Sequence, residues 1–182
     1  MSEEETVIFV DIDLTLVNTR LHKMFQLSSP ENSVAFWYRM QRCSTVARPS
    51  AVNFLQTIKQ QYSVKCLTLG YSKFQSKVLT ALSLDDHVGE IYGPDNFENL
   101  TVPRFWVLVD DMRPCDQMAE IKLNWLGHSR FANSNQEWEE LLERHYIQCG
   151  AFDGTSEPHS LDELIEVIQL KLEWQKDRLL GY

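Results

Sequence analysis

The chain has 182 residues, 43% hydrophobic and 24% charged, with 7 Gly and 6 Pro. That composition suits a single soluble globular domain and excludes disordered and collagen-like classes. A formal net charge of −9 argues against extensive nucleic-acid binding, whose affinity comes from Lys and Arg displacing counterions, but not against a small phosphorylated substrate held through a metal. No apolar run reaches the ~20 residues that cross a bilayer, so no membrane association is expected. Cys43, Cys66, Cys115 and Cys149 lack paired metal-ligand spacing and read as reduced thiols. The acidic opening Met-Ser-Glu-Glu-Glu-Thr is no secretory leader, which points to a cytoplasmic protein.

Residues 7–10 form a short, partly β-branched apolar run suited to a strand buried on both faces; Asp11-Ile12-Asp13-Leu14-Thr15 follows directly. Residues 16–47 then stand as a small insertion. Within it, residues 34–42 suggest a helix whose buried face is Phe36, Trp37 and Met40. His22, Lys23, Tyr38, Arg39 and Arg42 lie in the same insertion. With Phe36 and Trp37 they allow a second reading, an aromatic and basic lid that stacks a ring and pairs with a phosphate. Residues 49–61 read as a helix, with Pro49 near its first turn and Ala51, Phe54, Leu55 and Ile58 as its stripe.

A second buried strand is expected over residues 64–69, with Thr68 near its end, and a helix over residues 73–82. A weaker strand spans residues 89–92. The apolar run 105–109 carries Asp110-Asp111 at its end. Helices over residues 114–126 and 135–145 bracket a weak strand at 130–132. The final segment opens on Ser160-Leu-Asp-Glu163, the pattern of a capping box, and runs as a helix to residue 180. Leu161, Leu164, Ile165, Ile168 and Leu172 share one stripe, which packs on the sheet or forms a dimer seam. Strands alternating with helices of this length imply βαβ units and a parallel sheet.

In such sheets ligands bind at the carboxyl ends of the strands. Asp11 and Asp13 lie at one such end, Asp110 and Asp111 at another, and like charges so close require a cation or a proton. Hard oxygen donors suit Mg2+. Thr68, just before a helix N-terminus, is placed to hold a phosphate oxygen, or serves simply as a cap.

These residues resemble the haloacid dehalogenase superfamily of phosphohydrolases. Asp11-Ile-Asp13-Leu-Thr15 is similar to its first motif, Thr68 to its second and Asp110-Asp111 to its fourth. Arg48-Pro49-Ser50-Ala51 resembles the helix start before the second-motif strand, and residues 79–93 resemble another family passage. The resemblance covers roughly residues 6–132. It implies a three-layer α/β fold with a Rossmann-like parallel sheet and a small helical cap formed by residues 16–47. It also implies a Mg2+-dependent phosphatase that hydrolyses a phosphate monoester through an aspartyl-phosphate. Asp11 would be the nucleophile and Asp13 the acid and base. Thr68 and Leu69 would bind phosphate, and Asp11, Asp13 (through its backbone carbonyl), Asp110 and Asp111 would hold the metal. Family members lacking an acid at position 13 are often not phosphatases. A small cap leaves room for a small molecule, a nucleotide or a phosphoprotein as substrate.

One family feature has no counterpart at its usual place. The third-motif lysine falls shortly before the acidic pair, and residues 94–109 contain no Lys. Lys73, Lys77 and Arg104 are the candidate substitutes. The gap supports the alternative of an inactive module that binds a phosphorylated partner. A receiver domain fits less well because the order of its acidic motifs is reversed, and a metal-dependent nuclease because basic residues are few.

Overall fold

The computed structural model describes residues 5–22, 32–130, 134–157 and 159–180. Among the described residues, eight strands and five α-helices follow in chain order: β1 (Thr6–Val10), β2 (Val17–Leu21), β3 (Val34–Tyr38), β4 (Gln41–Ala47), α1 (Ala51–Lys59), β5 (Ser63–Leu67), α2 (Ser72–Ala81), β6 (Ile91–Tyr92), β7 (Phe105–Asp110), α3 (Gln117–Trp125), α4 (Asn135–His145), β8 (Tyr146–Gln148) and α5 (Leu164–Leu180). Five strands form a parallel sheet in the order β6-β5-β1-β7-β8. The fold is therefore α/β, as the alternation of elements implied. β1 is central, between β5 and β7, and the chain winds outward from it in both directions. That makes the carboxyl end of β1 a topological switch point, where such sheets open a crevice.

Both faces of the sheet are buried. Ile8 and Val10 of β1 face one apolar cluster, with Phe54, Leu55 and Ile58 of α1, Val78 and Leu79 of α2, and Ile168 and Leu172 of α5. Val7 and Phe9 face the other, with Ala119 and Leu123 of α3 and Trp138 and Leu141 of α4. Alternation on a strand covered twice explains why residues 7–10 carry no polar position. Each such side chain contributes about 1.5–3 kcal/mol through burial.

Three expectations need correction. Residues 34–42 are not a helix, and the insertion is a three-stranded antiparallel sheet in the order β2-β4-β3. Phe36 and Tyr38 lie against Phe74 of α2, with ring centroids 6.1 and 5.0 Å away, while Trp37 between them is exposed. The period is two, the period of a strand. The turn Arg39-Met40 has φ of 45° and 65°, the left-handed pair of a two-residue hairpin. It lacks the Asn-Gly that usually marks one, and this is why the hairpin was hidden. Second, Arg130 lies in a turn and residues 131–132 fall outside the described residues, while the outer strand is β8, immediately after α4. Third, Ser160 opens a 3-10 turn, accepting the Asp162 amide at 3.2 Å, and the reciprocal capping box forms instead between Ser134 and Glu137 at the start of α4. The apolar stripe of α5 packs against the β7 side of the sheet.

A polar seam joins α4 and α5 to β7. Gln175 of α5 donates to the carbonyls of Trp106 and Arg144 and accepts the Trp106 amide. His145 stacks on the Trp106 ring at 4.2 Å and its Nδ1 lies 2.9 Å from the Trp106 carbonyl oxygen. Burial pushes the His145 imidazole down to about 4, with His128, Arg144 and Lys171 adding positive charge nearby. The unfolded chain binds this proton more tightly, so stability is full above pH 6.5 and declines as the pH falls toward 4. Between pH 6.5 and 5 the loss is about 2 kcal/mol, at about 1.4 kcal/mol per pH unit. His145→Asn keeps a donor for the Trp106 carbonyl and should flatten this limb in urea titrations at pH 7 and 5; an unchanged pH slope would contradict the assignment.

Candidate active site at the carboxyl ends of the central strands

Register brings the acidic motifs together. Val10 of β1 pairs with Val109 of β7, and the Asp11 amide donates to the Val109 carbonyl at 2.9 Å. Asp11 and Asp110 therefore leave adjacent parallel strands at the same level. Among the described residues, carboxylate oxygens of Asp11, Asp110 and Asp111 come within 4.8 Å of one another. The backbone turns sharply within the first motif, with Leu14 at φ 63°, and Thr15 folds back over the acids. The Thr15 hydroxyl accepts the Asp111 amide at 3.0 Å and lies 3.4 and 3.3 Å from carboxylate oxygens of Asp11 and Asp111.

The cation beside these acids is Lys122, which is not among the candidates named from the sequence. Its ammonium, fully buried on α3, lies 2.6 Å from Asp11 Oδ1 and 2.8 Å from Asp110 Oδ2. It comes from the helix after the acidic pair rather than the segment before it. A signal was present in the sequence. Ala119, Lys122, Leu123 and Leu126 recur at positions i, i+3, i+4 and i+7, and all four are buried. A lysine on the apolar stripe of a helix needs a buried carboxylate. The three candidates named above do not reach the acids. Lys73 and Lys77 are exposed on α2 and line a separate groove of about 890 Å3 with Phe36 and Trp37. Arg104 precedes β7 at the opposite end of the sheet, its guanidinium over the Phe105 ring.

Burial raises the Asp11 carboxyl above its ordinary range; Lys122 opposes the shift, and Asp110 and Asp13 reinforce it. Burial alone would lower the Lys122 ammonium, but the carboxylates of Asp11 and Asp110 raise it, so the cation is retained. One ammonium among three carboxylates leaves the cluster electron-rich. Asp110 is already committed through both oxygens, to Lys122 and to the Met112 amide. Asp11 Oδ2 and Asp111 are less engaged. This donor set of close, hard oxygens fits Mg2+.

The Asp13 side chain stands apart from the cluster, where it accepts a hydrogen bond from the Gln75 amide of α2. Burial raises the Asp13 carboxyl, against the opposing effect of Gln75. Gln75 was also missed, although it shares the inward stripe of α2 with Val78 and Leu79. A Cβ at position 70 would overlap the Gln75 amide, so Gly70 lets the helix approach this closely. Thr68 follows β5, is buried, and accepts the Gly70 amide through its hydroxyl at 3.1 Å. Leu69 follows it in the bend before α2.

Arg48 ties the site to the C-terminal part of the chain. Its buried guanidinium donates to the carbonyls of Thr15, Gly150 and His159 at 3.2, 2.9 and 2.8 Å and pairs with Glu157 at 3.0 Å. Ser50 also bonds Glu157. The pattern read as a helix start is thus also a clamp on the loop carrying Thr15.

A cavity of about 600 Å3 opens beside Asp13, between the small sheet and α2, lined by Tyr38, Arg39, Tyr71 and Phe74 among others. Lys122→Met should cost about 3 kcal/mol in urea unfolding, because it strands two buried carboxylates. Adding Asp11→Asn should restore at least about 1 kcal/mol through the shared contact. Strict additivity of the two substitutions would show that the triad is not an energetic unit.

No family model matches the chain, and no curated protein does. Among solved structures it is similar to Fcp1, described as an essential RNA polymerase II CTD phosphatase, with a TM-score of 0.54 and 13% identity; the match covers 95% of this chain and 64% of that one. It is also similar to fission yeast Fcp1-R271A bound to beryllium fluoride, with a TM-score of 0.45, 15% identity and coverage of 96% and 52%. The first likeness is one of fold: a parallel five-stranded sheet flanked by helices. The chain spans less than two thirds of either structure's length.

Proposed function

We propose that this protein is a Mg2+-dependent phosphatase that hydrolyses a phosphate monoester through an aspartyl-phosphate on Asp11. The observation that carries this reading is the contact of Lys122 with both Asp11 and Asp110, at 2.6 and 2.8 Å, beside Asp111. It supplies a cation for the reaction, the group whose absence from residues 94–109 favoured an inactive binding module. Fcp1, which shares the fold, is itself a phosphatase.

Asp11, Asp110 or Asp111, and the backbone carbonyl of Asp13 would hold Mg2+, which when bound would neutralise charge on the phosphoryl oxygens. Lys122 holds Asp11 Oδ1 in place and screens its charge from the incoming phosphate dianion. An Asp11 oxygen attacks phosphorus. The bond to the ester oxygen breaks with its electron pair on that oxygen, which takes the proton of Asp13. Asp13, now ionised, accepts a proton from water as that water attacks the aspartyl-phosphate, releasing phosphate and regenerating Asp11. The raised Asp13 carboxyl, held by Gln75, suits a group that must both give and take a proton. Thr68 and the Leu69 amide, which makes no hydrogen bond among the described residues, would receive phosphoryl oxygens at the start of α2.

Wild-type protein should release phosphate from an aryl phosphate only when Mg2+ is present. Asp11→Asn should abolish turnover, and Asp13→Asn should lower kcat by about 100-fold or more, the usual worth of an acid–base group. Phosphate release that persists in Asp11→Asn, or in EDTA, would refute the proposal.

A further inference from the structure

We infer that the cavity beside Asp13 is a leaving-group pocket for small aromatic phosphate monoesters that carry a second anionic group. The inference rests on the phosphatase reading, because the residue that would protonate the leaving oxygen forms part of the cavity wall. Whatever departs from phosphorus toward Asp13 therefore lies within these about 600 Å3, a volume typical of small-ligand sites.

The walls are largely flat and apolar. Tyr38 and Phe74 meet edge to face with centroids 5.0 Å apart, and Leu14 and Leu21 are partly exposed beside them. Tyr71, just before α2, keeps 64% of its surface exposed, an open ring face on which a second ring can stack.

Some of the polar side chains are already engaged. The Thr19 hydroxyl bonds Thr45 at 3.0 Å, and the Gln75 amide is held on Asp13. A sugar or polyol would bury several hydroxyls against Leu14, Leu21 and Phe74, side chains that offer no hydrogen-bond partner, which is costly. An aromatic ring makes no such demand.

Arg39 sets the charge. It is the cation among the lining residues, at the tip of the β3–β4 hairpin with its guanidinium 5.4 Å from the centroid of the Tyr38 ring. Among the described residues it forms no ion pair with a carboxylate, in a chain whose net charge is −9. A carboxylate on the far side of a ligand ring would meet it, and a guanidinium binds such a group in bidentate fashion.

Nonhydrolysable probes separate the pocket from the chemistry. With Mg2+ present, calorimetry should give 4-carboxybenzyl phosphonate a Kd at least about tenfold below that of benzyl phosphonate, itself below methyl phosphonate, tenfold being a usual margin for one charge-assisted contact. Arg39→Asn removes the charge and keeps a residue the hairpin turn favours. It should erase the first step, Arg39→Lys should restore part of it, and Tyr71→Ala should reduce the second. Equal affinity for all three phosphonates, absence of binding, a carboxylate preference that survives Arg39→Asn, or tighter binding of AMP would each overturn the pocket assignment. Turnover is read separately on 4-carboxyphenyl phosphate and glycerol phosphate. Selective phosphonate binding without hydrolysis of either ester upholds the pocket and refutes the phosphatase, whereas hydrolysis of both with equal KM does the reverse.

Discussion

A buried ammonium held between two buried carboxylates is the contact on which the rest of this molecule is organised. Lys122 meets Asp11 at 2.6 Å and Asp110 at 2.8 Å where almost no solvent reaches. Such a group is tolerated only when its geometry is fully determined, because a mispaired buried charge costs several kcal/mol. The pairing of β1 with β7 sets the carboxylates level, and the apolar stripe of α3 sets the height of the lysine. Sheet register, helix position and the electrostatics of the site are therefore a single constraint.

Around this contact the structure places supports drawn from distant parts of the chain. Thr15 bridges Asp11 and Asp111. The carbonyl of Thr15 is fixed by Arg48, and Arg48 is held by Glu157 and the Gly150 and His159 carbonyls. A loop of the C-terminal region thus stabilises the turn that follows the first acidic motif. On the other side, Gln75 holds Asp13 away from the metal-type cluster. Two carboxylates two residues apart thereby face different environments, one paired with an ammonium and one with an amide. Different surroundings give similar acids different proton affinities.

Much of this was legible in the residues. The stripe Ala51, Phe54, Leu55 and Ile58 is the buried face of α1, and the apolar runs before Asp11 and Asp110 are central strands of the sheet. Where the reading failed, local pattern and tertiary environment disagreed. Phe36, Trp37 and Met40 fit a helical stripe, yet Met40 is 94% exposed at a hairpin tip and Phe36 packs on α2 beside Tyr38. Aromatic residues of this kind favour a pleated, half-buried surface, and packing decided between the two periods.

The sequence by itself determined the alternation of strands and helices, the acids at the strand ends and their order, because those depend on local periodicity and on residues close in the chain. Only the tertiary structure decided that Lys122 is the cation, that Gln75 holds Asp13 and that Arg48 clamps Thr15. Apart from Lys122 and Asp110, 12 residues apart, these contacts join distant residues, from 33 between Thr15 and Arg48 to 111 between Asp11 and Lys122. No local propensity encodes such a pairing. A charged residue on an apolar stripe announces that a buried partner is needed, and the fold supplies its identity.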